Sequence, residues 1–350
     1  MNMFDYLKEY GNKTFKESSI NDIDIMIFSL LTYLDFSNIV SRGKLKKSLK
    51  QAGYEYLYSR DEKKVSKIGT AQSDAYHMIN EIVSYDRYKN VLVYGYRYYA
   101  DYDTQFGAIT FEIPNDYKVI AFEGTDKLIS GWKEDFYLAS VFPVNAQRLA
   151  IKYINEFVSI LDKVIVTGHS KGGNLALASS MYISKLKRNC IKKVYSLDGP
   201  GLRKLEFDSL EYKRIKDKYI HIIPDYSMVG ILLCNDSYKV IKSTKKDIRC
   251  HALSSWIVEG NSLIPSKQSK ISLSVQDKIS EFINSFNYQE LKDIAKEIFL
   301  SVEKLDVSNT HEVHDFRVII GIIRNLNNID EVTKKNIISV LEDMFLRRED

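Results

Sequence analysis

The stretch Lys163 to Ser180 reads K-V-I-V-T-G-H-S-K-G-G-N-L-A-L-A-S-S. Its apolar or β-branched run from Val164 to Thr167 meets a glycine and then an Ala/Leu-rich segment, as expected of a buried strand that turns sharply into a helix. Residues 168–172 fit G-x-S-x-G, the pattern of a nucleophile elbow. Both outer glycines are needed because a β-carbon there would collide with the neighbouring strand or helix. The pattern therefore predicts Ser170 as an exposed nucleophile at a helix N-terminus.

A serine at such a turn is inert until a histidine accepts its proton and a carboxylate orients that histidine. In folds that carry their nucleophile on such an elbow, the three groups follow the chain order Ser, acid, His. Ser170, then Asp198 or Asp225, then His251 obey that order. His251 comes directly after the last predicted strand, whereas His311 and His314 lie in the helical C-terminal region. The backbone N–H of Lys171, at the positive end of the helix, would help to bind the negative oxygen of a tetrahedral intermediate.

Strands and helices alternate along most of the chain, which favours an α/β fold with a mainly parallel sheet, flanked by helices and binding its ligand at the carboxyl edge. Helices are predicted for residues 21–40, capped by Asn21, and from Asn145 to the elbow strand, capped by Asn145. The predicted strands besides the elbow strand are Phe106–Ile113, Tyr117–Phe122, Lys192–Leu197, Tyr219–Ile223 and Tyr238–Ser243.

A domain boundary is expected at Pro265, where a polar S-K-Q-S-K run follows. Residues 1–264 would form the α/β domain, and residues 265–350 a helical C-terminal region, because apolar residues recur there at helical spacing. One of its predicted helices covers residues 316–323. The region has no chemical motif of its own, so its expected role is to pack on the domain or to dock a protein partner.

Composition and charge are those of an ordinary globular protein, with 45% hydrophobic and 27% charged residues among 350 and a net charge of +4. The three cysteines show no C-x-x-C spacing, so neither a disulfide framework nor a zinc site is expected.

The N-terminus lacks the pattern of a signal peptide, and we expect a cytoplasmic protein. Basic clusters at 44–50, 185–193 and 239–249 most simply form solvated surface. No nucleic-acid partner is expected, whereas contact with a membrane surface stays open.

The segments I-A-F-E-G-T-D (120–126), G-W-K-E-D-F (131–136), T-G-H-S-K-G-G-N-L-A (167–176) and D-G-P-G (198–201), with a late histidine before Trp256, together resemble the class 3 (fungal-type) lipases. More closely they resemble a bacterial branch, the Mbeg-like lipase-like proteins. The resemblance covers roughly Ile20 to Val258, with G-H-S-K-G-G-N-L-A as its most specific part. It implies the α/β-hydrolase fold of those lipases.

In lipases of this class the strand that ends here at Thr125 supplies the second oxyanion donor, and the segment after it often forms a lid. The resemblance therefore implies an oxyanion hole of Thr125 and Lys171 and a lid over Asp126–Phe142. Trp132 and Asp135 match a W-x-x-D pattern that would anchor this segment. Glu123 stands where these lipases usually have arginine. Either its side chain faces away from the site or activity is compromised.

The acid is left open between two positions. Class 3 lipases carry it in a D-x-V-P motif, which aligns with Ser227 here, two residues after Asp225. Asp198 ends the preceding predicted strand, where some α/β-hydrolases place their acid. Its glycine-rich surroundings would leave the carboxylate reachable from His251, which favours Asp198.

The two neighbours of the predicted nucleophile allow further predictions. His169 is expected to pack under the elbow, because the turn aims its preceding residue into the fold. The ammonium of Lys171 either lines the mouth of the pocket and favours an anionic substrate, or extends into solvent.

The sequence thus predicts a serine hydrolase that cleaves an ester or lipid-like small molecule through an acyl-enzyme, with no metal and no organic cofactor. Two rivals remain. One is a catalytically silent lipase-like module with a binding or regulatory role, and the other is an acyltransferase or peptidase that uses the same triad.

Overall fold

The computed structural model describes residues 1–59, 70–125, 129–303 and 330–345. Its main sheet has eight strands that lie side by side in the order of the chain. The first four strands are antiparallel, and the fourth to the eighth are parallel. The strands are β1 (Lys47–Ser48), β2 (Leu92–Ala100), β3 (Gln105–Glu112), β4 (Lys118–Phe122), β5 (Val164–His169), β6 (Ile191–Leu197), β7 (Tyr219–Pro224) and β8 (Lys239–Ile241), followed by a small hairpin of β9 (Val258–Glu259) and β10 (Ser262–Leu263).

The α-helices begin with α1 (Met3–Tyr10), α2 (Asp22–Leu31), α3 (Leu49–Ser59), α4 (Thr70–Ile82) and α5 (Asp86–Lys89). Those of the central part are α6 (Ile129–Tyr137), α7 (Asn145–Phe157), α8 (Lys171–Met181), α9 (Lys204–Phe207) and α10 (Leu210–Lys213). The C-terminal ones are α11 (Lys270–Asn284), α12 (Tyr288–Glu303) and α13 (Glu331–Phe345). The predicted fold class, a mainly parallel sheet flanked by helices with helices at the C-terminus, is confirmed.

One of the two predicted helix caps is correct. The Asn21 side chain accepts hydrogen bonds from the backbone N–H groups of the first turn of α2, which ends earlier than predicted, at Leu31. The prediction of Asn145 as a cap is wrong, because Val144 holds the cap position of α7. The Val144 N–H donates to Oε1 of Gln147 at 2.9 Å, so a side chain three residues later sets the start of the helix.

Alternate residues of the central strands bury themselves against two different helical layers. Val119 and Ala121 of β4 belong to a core shared with α1 to α4, whereas Ile120 and Phe122 belong to a core shared with α7 and α8. This is the period-two pattern of a sheet that is covered on both faces. The carboxyl edge of β4 to β8 lies between the two layers and carries the loops described below.

The helices of the N-terminal layer are joined to one another by a buried ion pair. Arg87 donates to the Asp24 carboxylate at 2.6 Å, and both side chains are fully buried. The same guanidinium donates to the carbonyls of Lys13 and Ser18 at 2.9 Å each, so it also holds the chain that links α1 to α2. One side chain thereby holds together residues that are far apart in the sequence.

The C-terminal helices pack on the loops of the carboxyl edge. In α11, Ser272 Oγ donates to the carbonyl of Ser227 at 2.5 Å. In α12, the ring of Phe299 meets that of Phe136 on α6 edge to face, with centroids 5.3 Å apart. The predicted helix over 316–323 lies outside the described residues, and the domain boundary at 264/265 stays a prediction. No helix in the described ranges is both long and apolar enough to span a bilayer.

Candidate active site

The turn between β5 and α8 has the strained backbone of a nucleophile elbow. Ser170 lies there at φ 57° and ψ −133°, a left-handed conformation that a residue with a side chain adopts only when its surroundings enforce it. Two hydrogen bonds do so: the Ser170 N–H donates to the carbonyl of Leu197 at 3.0 Å, and the Gly173 N–H donates to the carbonyl of Ser170 at 2.9 Å. Ser170 is half-buried at the start of α8.

The outer glycines of the pattern are required by close backbone contacts. A β-carbon on Gly168 would lie 2.2 Å from the carbonyl of Gly172. A β-carbon on Gly172 would lie 2.2 Å from the carbonyl oxygen of Phe122 on the neighbouring strand. Both distances are too short for real β-carbons, so the elbow packs against itself and β4 only because these two side chains are missing.

Asp198, which directly follows β6, meets His251 at the carboxyl edge. His251 Nδ1 lies 2.6 Å from Asp198 Oδ2, and the carboxylate is fully buried. The other oxygen accepts from Ser227 Oγ at 2.5 Å and from the Gly230 N–H at 3.0 Å. A carboxylate can only accept, so the arrangement puts a proton on Nδ1 of His251 and leaves Nε2 as the basic nitrogen.

The structure does not bring Asp225 to this imidazole nitrogen. One carboxylate oxygen of Asp225 accepts from the Ser243 N–H and the other from Ser266 Oγ, each at 3.2 Å. Its backbone carbonyl accepts from the Ser269 N–H at 2.7 Å, at the cap of α11. Burial raises the pKa of the carboxyl. Asp225 therefore joins the loop after β7 to β8 and α11, and of the two candidate acids only Asp198 contacts His251.

Ser227 is a residue of this site that the sequence reasoning did not identify. It stands where the alignment with class 3 lipases would put the acid, and here its hydroxyl donates to Asp198, which follows the neighbouring strand. The Gly230 N–H completes the same support. The misfit of the D-x-V-P motif was the signal that could have pointed to Ser227.

The predicted oxyanion side lies at the end of β4, against the elbow. A β-carbon on Gly124 would lie 2.6 Å from the carbonyl oxygen of His169 and 3.0 Å from the Ser170 β-carbon, so the two backbones touch. The next residue, Thr125, donates from its hydroxyl to Asp135 Oδ2 at 2.5 Å. Asp135, the aspartate of the W-x-x-D pattern, thus anchors the segment that follows β4. The Trp132 side chain and residues 126–128 of the expected lid lie outside the described part.

Glu123 turns away from the elbow. A β-carbon on Gly107 of β3 would lie 1.9 Å from Oε2 of Glu123, so the carboxylate rests over this glycine. The Glu123 N–H also donates to the Gly107 carbonyl at 2.9 Å. Because β3 and β5 flank β4 on opposite sides, the carboxylate lies on the side away from Ser170. Of the two alternatives for Glu123, the side chain that faces away is the one observed.

Both predicted positions for the Lys171 ammonium are wrong. The side chain is 1% exposed and reaches neither a pocket mouth nor solvent. Its Nζ donates to the carbonyl and to Oε1 of Gln105, at 2.8 and 2.6 Å, and lies 3.4 Å from Glu134 Oε2. A buried ammonium needs a carboxylate and polar oxygens around it, and Glu134 and Gln105 supply them.

Glu134 and Asp135 fix α6 beside the elbow. Glu134 accepts from the Gln105 N–H at 3.1 Å and from the Ala146 N–H at the start of α7 at 2.9 Å. Burial raises the pKa of Asp135 to about 6, although the nearby Lys171 ammonium acts in the opposite direction. The segment predicted as a lid is therefore tied to both β3 and α7 by the side chains of α6.

His169 packs under the elbow, as predicted, and makes two hydrogen bonds there. Its Nδ1 lies 2.9 Å from the Tyr33 hydroxyl, and its Nε2 lies 2.8 Å from the carbonyl oxygen of His251. The two imidazole rings are 4.4 Å apart between centroids. Burial lowers the pKa of His169 to about 3, so this ring is neutral. The elbow and the loop of His251 are thus in direct contact.

Within the described residues, no group of three or more His, Cys, Asp and Glu side chains is arranged to hold a metal ion.

A mainly parallel sheet between two helical layers, with a strained G-x-S-x-G turn after β5 and a paired aspartate and histidine at the same edge, defines an α/β-hydrolase fold of the lipase-like kind. The chain belongs to the Mbeg1-like family, whose model matches residues 82–300.

Two solved structures are similar to this chain at low identity. The crystal structure of M37 lipase is 16% identical, with a TM-score of 0.33, over 59% of this chain and 68% of that one. The crystal structure of extracellular lipase LipA from Serratia marcescens is 15% identical, with a TM-score of 0.28, over 57% of this chain and 39% of that one. A comparison with curated proteins gave no match.

Proposed function

We propose that this protein is a serine hydrolase that cleaves carboxylic esters through an acyl-enzyme. The observation that carries the proposal is the bond of 2.6 Å between His251 Nδ1 and the buried Asp198, beside a serine in the strained backbone of an elbow. A fold can host many functions, so the proposal rests on these side chains and not on the likeness to lipases.

In the proposed mechanism His251 Nε2 takes the proton of Ser170 Oγ while the oxygen attacks the ester carbonyl. The backbone N–H groups of Lys171 and Thr125 hold the negative oxygen of the tetrahedral intermediate. Collapse of the intermediate breaks the bond to the alcohol, which leaves with the proton from His251. Water then attacks the acyl-enzyme, again with His251 as base, and releases the acid and free Ser170.

Three features support this assignment of roles. Asp198 keeps the His251 proton on Nδ1, which is the tautomer that a base at Nε2 needs. Asp198 itself is held by Ser227 and Gly230, so it cannot turn away from the imidazole. The carboxylate of Glu123, the residue that counted against activity, rests over β3 and does not oppose a developing negative charge at the elbow.

The test is hydrolysis of 4-nitrophenyl butyrate by the full chain, together with the mass of the trapped acyl-enzyme. Wild type should turn over and carry one butyryl group on the peptide with Ser170, whereas Ser170→Ala and His251→Ala should lose about 10³-fold or more in kcat. Ser262→Ala is the matched control, because Ser262 is exposed on β10 and should keep wild-type activity.

Product analysis separates the remaining reaction classes. Release of free butyric acid supports a hydrolase, whereas transfer of the butyryl group to an added alcohol or amine in preference to water would make the protein an acyltransferase on the same triad. A wild-type protein that neither turns over nor acylates would contradict the proposal and favour a silent lipase-like module.

A further inference from the structure

The neighbour of the proposed nucleophile holds the proposed base through the base's own backbone. His169 is 5% exposed, and its Nε2 lies 2.8 Å from the carbonyl oxygen of His251. A carbonyl can only accept, so the proton of the His169 ring is on Nε2. The remaining nitrogen, Nδ1, then accepts from the Tyr33 hydroxyl at 2.9 Å. Both ring nitrogens are satisfied by a single neutral tautomer.

These bonds fix His251 at a second point. Asp198 holds the imidazole at Nδ1, at 2.6 Å, which leaves the ring free to swing if the short 3₁₀ helix that carries it (Ile248–His251) moves. The bond from His169 fixes the backbone of that helix at its last residue. Because His169 is joined to Ser170 by a peptide bond, the elbow itself sets how far the base lies from the nucleophile.

Tyr33 connects His169 to the segment after β4, where the oxyanion hole is predicted. A β-carbon on Gly124 would lie 2.2 Å from the Tyr33 hydroxyl, so this oxygen rests directly on the backbone at the end of β4. Tyr33 follows α2 and belongs to the N-terminal helical layer, before the range 82–300 that matches the family model. The hydroxyl therefore meets the predicted oxyanion segment and, through His169, both the elbow and the loop of His251.

We infer that Tyr33 and His169 are positioning residues that aim His251 Nε2 at Ser170, and that the N-terminal layer is therefore part of the catalytic machinery. The inference rests on the proposed function. A displacement of about 1 Å in a catalytic group can cost about 100-fold in rate, so a bond that fixes the base has a kinetic role beyond packing.

The test compares three variants by steady-state kinetics. His169→Met replaces the imidazole by an apolar side chain of similar size that has no donor. It should lower kcat about 10- to 100-fold with little change in KM and with a shifted pH profile of kcat/KM. His169→Gln keeps an N–H that can reach the His251 carbonyl, and it should retain activity within about fivefold of wild type. The kcat of Tyr33→Phe should lie between those of the two His169 variants, at about a 3- to 10-fold loss from wild type.

A second measurement does not depend on turnover. The proton between His251 Nδ1 and Asp198 should give a far-downfield signal in ¹H NMR spectra of histidine-labelled full-length protein. The signal should be sharp in wild type and His169→Gln and broadened or lost in His169→Met. An unchanged signal and unchanged kinetics in His169→Met, or equal losses in the Met and Gln variants, would overturn the inference. A wild type with the signal but without turnover would overturn the proposed function instead.

Discussion

Exchange of one oxygen for an amide nitrogen at position 198 tests which carboxylate serves the base. In Asp198→Asn the amide oxygen can still accept from Ser227 and Gly230, as Oδ1 does now. The NH₂ group then faces His251 Nδ1, which must present a lone pair to it. The imidazole proton moves to Nε2, and the ring can no longer accept the proton of Ser170.

The size of the effect follows from this change of tautomer. In the serine triad that serves as the general template, the same exchange lowers kcat about 10⁴-fold while the geometry stays intact, which corresponds to about 5.5 kcal/mol in the activation free energy. The exchange keeps the volume of a fully buried side chain, so we expect folded protein. kcat for 4-nitrophenyl butyrate and the melting temperature, measured on the same sample, separate the two effects.

Asp225→Asn is the matched control, because it is the same chemical change at the other candidate acid. Its oxygens accept from Ser243 and Ser266 and not from His251, so kcat should stay within about threefold of wild type. A larger loss in Asp225→Asn than in Asp198→Asn, or a folded Asp198→Asn that keeps more than a tenth of the activity, would refute the assignment of the acid.

Three further changes test the frame around the site. Gly172→Ala puts a β-carbon 2.2 Å from the carbonyl oxygen of Phe122, and it should lower the free energy of unfolding by about 1–3 kcal/mol and abolish turnover; a variant with wild-type urea denaturation would contradict the packing argument. Burial raises the pKa of Asp135 from 3.8 to about 6, so between these pH values the folded state holds a proton that the unfolded state has released. The contribution of this protonation to the free energy of unfolding is fully present below about pH 4. It is lost as the pH rises through 6, by up to about 3 kcal/mol. Asp135→Asn should remove this part of the pH dependence of unfolding, and an unaltered pH dependence would contradict the prediction. Arg87→Met leaves the Asp24 charge buried without its guanidinium and should cost about 3–5 kcal/mol in urea denaturation; a loss below about 1 kcal/mol would show that the ion pair is not what holds the N-terminal layer.

The elbow was predictable because its chemistry is local. Gly168 and Gly172 lie two residues from Ser170 on either side, and the clash that each avoids follows from the strand–turn–helix geometry alone. The alternation of strands and helices also gave the parallel sheet, because connections between parallel strands need a helix. The capping of α2 by Asn21 was predictable because it is also local: the partners of Asn21 are two and three residues away.

The parts that sequence reasoning missed depend on partners far apart in the chain. Lys171 bonds to Gln105, 66 residues away, and no local pattern distinguishes that buried position from a solvated one. Ser227 reaches Asp198 across 29 residues, and whether Asp198 or Asp225 pairs with His251 depends on which carboxylate the folded loops bring to the imidazole. Only the packing of the loops at the carboxyl edge decides such questions.

Activation of Ser170 by His251 is tested most directly by covalent labelling of the native full-length protein with a fluorophosphonate, followed by peptide mapping. A serine becomes reactive toward this probe only when a base activates it, so the reaction reports on Ser170 and His251 together. We expect one label, on the peptide that contains Ser170, and none in Ser170→Ala or His251→Ala. Labelling that survives Ser170→Ala, or a folded wild type that does not react, would contradict Ser170 as a nucleophile activated by His251.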